Sequence, residues 1–508
     1  MTVRRVMGIE TEYGISMPGH PQANPMLLSG QVVHAYAQVA GIPRQRASWD
    51  YADESPLRDA RGFEMGRAVA HPTQLTDDPT MANVVLANGA RLYVDHAHPE
   101  YSSPEVTTPR DAVTWDRAGE LVMAAAAHEL AKAPPGVNLY KNNTDGKGAS
   151  YGTHENYLLR RSTDFRDVVT HLTPFFVVRQ ILCGSGRVGI GQESQDVGFQ
   201  ISQRSDFFEA EVGLETTLKR PIINTRDEPH ATPDRWRRLH VILGDANHAD
   251  VANLLKLGTT SLVLGMIEDG FITTNLTVRQ PVTTLRRVSH DPTLQQQVEL
   301  VDGRRLRGIE LLWEYFHLAD AWLQQTGAGE RDADTAEVMR LWEDVLTKLD
   351  ADPMSAAREV DWVAKLAVLE GYRRRDGLEW GDPRLRAVDI QWSDVRPDKG
   401  IAHKLVRAGR LEQLVDEADV RRAVSEPPAD TRAYFRGRCV EKFRTEVVAA
   451  SWDSVVFDLG GEAPLRRVPM LEPERGTREH VQALIDGSDT VAELLDTLSG
   501  VESDGSVS

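Results

Sequence analysis

Glu10 and Glu12, one residue apart in MGIETEYGI, are the first residues in the chain whose types and spacing suggest chemistry. In an extended segment residues i and i+2 point to the same side, so these carboxylates share a face and repel each other unless a cation lies between them. Hard carboxylate oxygens suit magnesium. Taken alone, the pair could be two solvated glutamates on a strand edge. A second alternating run, Arg91-Leu92-Tyr93-Val94-Asp95, puts Arg91, Tyr93 and Asp95 on one face, and HAHPEYSSPE at 96–105 adds His98, Glu100 and Glu105. Asp95 could merely cap the following turn, or, aimed into a metal-phosphate cleft, act as base or nucleophile.

Further candidates lie downstream. YKNNTDGKGASYGTHENYLL at 140–159 concentrates Asn142, Asn143, His154, Glu155 and Asn156 in a strand-turn-strand pattern; HEN lacks the helical HExxH spacing, which disfavours zinc hydrolysis. LKRPIINTRDEPHA at 218–231 supplies Arg220, Arg226 and His230. A guanidinium fork there fits phosphate or carboxylate oxygens, with a surface ion-pair cluster as the bland alternative. DTRAYFRG at 430–437 pairs Arg432 and Arg436 with aromatics, and Trp452 could stack on an adenine, although a packed core indole is the commoner outcome. GSGRVGIG matches GxGxxG only superficially, without a following helix or a suitably spaced acid, so a dinucleotide fold is set aside.

The elements holding these residues follow from periodicity. Period-two alternation predicts strands over 4–15 and 90–95, and strand-like runs lie at 137–143, 153–159 and 207–218. Helical spacing predicts helices over 27–41, 110–132 and 234–267, the last from Leu239, Leu243, Val251, Leu254, Leu255 and Leu262. From about Gly308 to Val424 helices dominate, with amphipathic spacing in 333–350 and 403–424. Residues 44–79 read as a long polar loop, functional or disordered. Pro427-Pro428 marks a break before a helix, a short strand near Val455 to Leu459 and a final helix. The expected organisation is a large domain over 1–427 with 44–79 as a flexible insertion, a small domain over 428–500 and a disordered tail over 501–508.

Composition narrows the partners. With 58 basic and 76 acidic residues the net charge is −18, which opposes attraction to nucleic acid or anionic membranes. Two cysteines and no CxxC argue against a disulfide framework or a cysteine zinc site, and the charged N-terminus lacks a signal-peptide core, so a cytoplasmic setting is expected.

Six blocks in order, MGIETEYGI, RLYVDHAHPEYSSPE, YGTHENYLL, RPIINTRDEPHA, DTRAYFRG and ASWDSVVFDLG, resemble the Pup ligase and Pup deamidase/depupylase family over nearly the whole chain. The resemblance implies an α+β, glutamine synthetase-like fold of carboxylate–amine ligases: a curved antiparallel sheet backed by helices, plus a small C-terminal domain. It implies ATP and Mg2+ as bound cofactors. Glu10, Tyr93 and Glu100 resemble magnesium ligands, with His154, Asn156 and His240 completing the metal and phosphate site and Glu12 placed there by neighbourhood. Arg91, Ser102, Ser103, Arg226, Arg432 and Trp452 stand for the nucleotide contacts, and Asp95 for the catalytic residue.

Two activities exist within the family, and the segment WDYADESPLRDARGF looks like the extended loop of the deamidase branch. The expectation is therefore a hydrolase that converts the C-terminal glutamine of Pup to glutamate and cleaves Pup from lysine, acting on Pup and pupylated proteins in functional connection with the bacterial proteasome. A Pup–protein ligase, a small-molecule carboxylate–amine ligase and a non-catalytic Pup-binding scaffold are the alternatives.

Overall fold

The computed structural model describes residues 2–43, 47–51, 54–65, 82–325 and 332–503, the last four without side chains. Six strands make the principal sheet: β1 (Met7–Glu12), β2 (Asn83–Val85), β3 (Arg91–Asp95), β4 (His98–Ser102), β5 (Thr153–Arg160) and β6 (Trp236–Val241), in the order β6-β5-β1-β4-β3-β2. Every neighbouring pair is antiparallel.

The pleat divides each strand between an apolar and a polar face. Met7, Ile9, Tyr157, Leu159, Leu239 and Val241 join one core with α3 (Phe165–Cys183) and α4 (Asp250–Glu268). Leu92, Val94 and Tyr101 join a second core with α1 (Pro25–Val39) and α2 (Pro109–Leu130). Local chemistry starts these helices where they begin: Asn24 caps α1 by accepting from the Met26 and Leu27 N–H groups ahead of Pro25, and Thr108 caps α2 by accepting from Asp111 N–H. By length and composition α4 could cross a membrane, yet it is entirely buried in the core. A buried bidentate pair, Arg179 on α3 with Glu155 on β5 at 2.6 and 2.8 Å, ties the sheet to its helical backing.

Beyond Pro427 a four-stranded sheet runs in the order Arg466–Pro469, Ser454–Phe457, Val447–Ala450, Ser48–Trp49. Its last strand comes from the stretch expected to be a flexible insertion. Ala47, Trp49 and Val85 pack into the same core as Phe435, Phe443 and Val455, so apolar burial fixes this part of 44–79. Arg58–Asp59 and Phe63–Glu64 form a hairpin, anchored where Thr225 donates to Asp59 at 2.7 Å. The remainder of that expected loop, 44–46, 52–53 and 66–79, lies outside the described residues, as does 504–508 of the expected tail; 501–503 continue the helix Val491–Ser503.

Three expectations are corrected. The single helix over 234–267 is a strand, β6, followed by a turn and then α4: Leu239 lies on β6, where its alternation with Arg238 and His240 decides the matter, while Leu243 follows the strand. The continuous pattern over 403–424 is two short helices, Ile401–Arg407 and Glu417–Ala423. The strand over 4–15 is interrupted at Tyr13, after which Gly14–Ser16 pairs with Asn138–Tyr140 instead of the principal sheet.

Candidate active site

Register brings the charged residues together on the face the helices leave open. Glu10 lies opposite His154 and Ser102, Glu12 opposite Glu100, Asn156 opposite His240, and Tyr93 opposite Glu100. Two groups of potential ligands result.

The first is Glu10, His154 and His240, one ligand atom from each lying within 4.8 Å of the others. His154 Nδ1 is 3.5 Å from Glu10 Oε2, and Asn156 Nδ2 donates to Glu10 Oε1 at 2.9 Å. The Asn156 carbonyl oxygen accepts from Arg238 at 3.1 Å and lies 3.0 Å from His240 Nδ1. With Nδ1–H directed there, His240 turns its other nitrogen into a ligand. Burial and the neighbouring Arg238 charge press His240 far below its ordinary value. Burial also opposes ionisation of Glu10, but His154, His240 and Arg238 outweigh it and hold the carboxyl well down.

The second group is Glu12, Asp95 and Glu100, again within 4.8 Å. Tyr93 Oη and Ser102 Oγ donate to Glu100 Oε1 at 2.6 and 3.2 Å; the Gly152 N–H donates to Glu12 Oε1 at 2.5 Å, and His98 Nδ1 is 3.4 Å from its other oxygen. Burial, then the charges of Asp95, Glu10 and Glu12, push Glu100 far above the carboxylate range. Three such groups ionise together only around a cation, so this donor set fits magnesium. Asp95 differs from its neighbours in being accessible, its side chain 35% exposed at the end of β3. Burial resists its ionisation, but the 2.9 Å contact with His96 Nδ1 and the charges of His96, His154 and Arg91 lower it below the ordinary value.

From Glu10 a cavity runs toward the C-terminal sheet, lined by Gly8, Ser102, Ser103, Asn156, His230, Arg238, Arg432 and Trp452. Among the expected nucleotide contacts, Ser102, Ser103, Arg432 and Trp452 line it, while Arg91 and Arg226 do not. Ser103 Oγ accepts from Ile9 N–H at 3.0 Å, and Arg432 is engaged with Glu105 at 2.8 Å, so both have structural partners already. Arg91 lies over the rings of Trp49 and Tyr93, 4.1 and 3.8 Å from their centroids, and donates to Tyr51 Oη at 3.1 Å. Arg226 is 3.7 Å from Glu228. Arg238, which touches both Asn156 and Glu228, was hidden by the helical reading of its segment; the alternation Arg238-Leu239-His240-Val241 was the signal. Gly152 was also missed, two residues before the more conspicuous His154 in YGTHEN.

A depupylase from Acidothermus cellulolyticus is 60% identical over 501 residues, 98% of this chain and all of that protein. A Pup deamidase/depupylase from Mycobacterium tuberculosis (strain CDC 1551 / Oshkosh) is 54% identical over 505 residues, 98% of this chain and 99% of that one. A solved structure of the Pup ligase PafA in complex with ADP superposes with a TM-score of 0.72 at 34% identity, covering 80% of this chain and 90% of the other, and it shares the α+β architecture. The family model described as Pup-ligase protein matches residues 5–456, a span that takes in both ligand groups, Asp95 and Trp452, and the chain therefore belongs to that family.

Proposed function

We propose that the chain is a Pup deamidase and depupylase, converting the C-terminal glutamine of Pup to glutamate and cleaving the isopeptide bond between Pup and a lysine. The identity of 54–60% with proteins of that name, against 34% with the ligase, supports the hydrolytic branch. The observation that carries the chemistry is the position of Asp95: an ionised, accessible carboxylate beside two buried ones.

In this reading the carboxylates of Glu10, Glu12 and Glu100 would hold magnesium, His154 and His240 would complete the metal and phosphate site beside Glu10, and Asn156 and Tyr93 orient the ligands through their hydrogen bonds. Magnesium held there would supply the positive charge that polarises the substrate carbonyl, with ATP as the bound cofactor that completes the pocket. The cavity between Gly8 and Trp452 receives the nucleotide, with Ser102 and Ser103 on its wall and the Trp452 ring at its far end. Arg91 stiffens the wall of aromatics, and Arg226 and Arg432 set the shape of the rim through their carboxylate partners.

Asp95 acts on the terminal carboxamide or isopeptide carbonyl. As a nucleophile its oxygen displaces ammonia or the lysine amine, and water then cleaves the acyl anhydride; as a base it takes a proton from water that attacks directly. In both routes the C–N bond breaks, water provides the new oxygen, and no phosphoryl group moves. Pup and pupylated proteins are then its partners, with a functional link to the proteasome in the bacterial cytoplasm.

The test is mass spectrometry of glutamine-ended Pup mixed with enzyme, Mg2+ and ATP. Amide-to-acid conversion without matching ADP release supports the proposal; attachment of glutamate-ended Pup to lysine with stoichiometric ADP overturns it in favour of a ligase, and no reaction with bound Pup favours a scaffold. Asp95→Asn is expected to slow conversion about 10²–10⁴-fold. A single turnover in heavy-oxygen water separates the routes, since only a nucleophilic Asp95 can carry the label into its own side chain.

A further inference from the structure

We propose that Glu120, His248 and His403 form a second metal site, behind the principal sheet, that takes a divalent transition cation such as zinc. One ligand atom from each of the three lies within 4.8 Å of the others. Glu120 comes from α2, His248 from the turn before α4, and His403 from the helix Ile401–Arg407, so the cation joins three elements distant in sequence.

Two imidazoles converge on one carboxylate oxygen. Glu120 Oε1 is 2.9 Å from His403 Nε2 and 3.7 Å from His248 Nδ1. His403 Nε2 is thus paired with Glu120 Oε1, while the other ring nitrogen of His248, Nε2, is a buried atom with no hydrogen-bond partner among the described residues. The side chains of Glu120 and His248 are 9% and 3% exposed. A buried imidazole nitrogen without a partner, beside one carboxylate oxygen on which two imidazoles converge, is costly unless something satisfies it. Two imidazoles and one carboxylate are a ligand set zinc uses, with water completing the tetrahedron.

The surroundings hold the donors in place. The Asp361 carboxylate accepts from the backbone N–H of His248 at 2.8 Å and of Ala249, fixing the turn. Gly400 gives room to His403, since a Cβ there would come within 2.7 Å of its Cδ2. Ala249, Ala402, Leu405 and Trp392 pack as a small apolar cluster beside the site. Lys141 donates to Glu120 Oε2 at 3.2 Å and to Asp116 at 2.8 Å; Asp116 balances the ammonium, leaving Glu120 Oε1 with its charge for a cation.

This site is separate from the reactive face. Thr11, which points away from Glu10 and Glu12, donates to Asp116 at 3.3 Å, placing α2 and Glu120 on the other side of β1. The cation's role is accordingly to clamp the helices that support the strand, and it adds stability by binding only the folded chain.

The test uses the full chain, stripped with a chelator and titrated with zinc and with cobalt in excess magnesium. The wild type is expected to take up one more equivalent of zinc than His403→Ala or His248→Gln, to show tetrahedral cobalt absorption bands that both variants lose, and to gain several degrees in Tm on adding zinc. Glu10→Gln is expected to keep the cobalt bands, which separates this site from the Glu10 group. His403→Ala is expected to keep its circular dichroism and its activity on Pup in magnesium. Equal zinc uptake and equal cobalt spectra in the wild type and both variants, or no zinc-dependent Tm change in the wild type, overturn the proposal in favour of a metal-free histidine–carboxylate cluster.

Discussion

The backbone N–H of Gly152 donates to Glu12 Oε1 at 2.5 Å, and a Cβ on Gly152 would lie 2.8 Å from that oxygen and 2.2 Å from His154 Nε2. A glycine therefore separates the two ligand groups, holding one and leaving space for the other. Gly152→Ala is expected to displace both side chains. A misplacement of about 1 Å at a reacting centre costs ~100-fold in rate, so the variant should lose about that much kcat on glutamine-ended Pup. Its thermal unfolding should stay near that of the wild type, because the clash meets side chains that can turn toward the open face. Unchanged kcat in steady-state assays would remove Gly152 from the site.

His96 lies 2.9 Å from Asp95, and this hydrogen bond, with the Asp95 charge, raises it to about 9 from 6.5. A raised histidine stabilises the folded state fully below its unfolded value near 6.5, and the contribution disappears as pH rises through about 9. The same deprotonation releases Asp95 from its charge-assisted hydrogen bond with His96. Wild-type kcat is expected to fall above about pH 9, and His96→Asn to show a flat alkaline limb with a lower plateau. A pH–rate profile checks this; an alkaline limb that survives in His96→Asn would assign it elsewhere.

Much of the open face was legible because a strand's two-residue period is written directly in MGIETEYGI and RLYVD. Which strands lie side by side was not, since the pairing of Glu10 with His154 joins segments more than a hundred residues apart and depends on register. The C-terminal sheet shows the same limit. Ser48 and Trp49 sit in a polar, glycine- and proline-dotted stretch that reads as loop, and only the apolar cluster around Phe435 and Val455 explains why they become a strand. Arg238 was lost for another reason: Leu239 and Leu243, four residues apart, fit a helix locally, and the pairing with β5 decided for a strand. Arg432 and Glu105 stood out as charged residues near the motifs, but their mutual pairing, which gives them a structural partner, appears only in three dimensions.

Asn156 touches Glu10 and His240 at once, donating to the first at 2.9 Å and lying 3.0 Å from Nδ1 of the second. Partners that orient metal ligands typically change affinity by about 10–100-fold when removed. Asn156→Ala is thus expected to need about 10–100-fold more magnesium for half-maximal activity and to recover most of its kcat at saturation, whereas Glu10→Gln is not rescued. Magnesium titrations of the deamidation rate distinguish the two; an Asn156→Ala defect that magnesium cannot relieve would make Asn156 a ligand in its own right.

Glu155 lies on β5 between His154 and Asn156 but points the opposite way, into the helical backing, where Arg179 meets both of its oxygens and Tyr157 Oη donates at 2.6 Å. Neither charge reaches solvent, the side chains being 0% and 2% exposed. Removing one member strands the other in a medium that cannot solvate it, which typically costs about 3–5 kcal/mol, while replacing both by apolar groups is far less damaging. Arg179→Met is therefore expected to lower the urea midpoint sharply, and the double variant Glu155→Leu/Arg179→Met to recover a large part of the loss. Because the pair faces away from Asp95, the rate per folded molecule should change little in either variant. Equal destabilisation by the single and double changes would show that the strand and helix depend on the ion pair itself and not on avoiding a stranded charge.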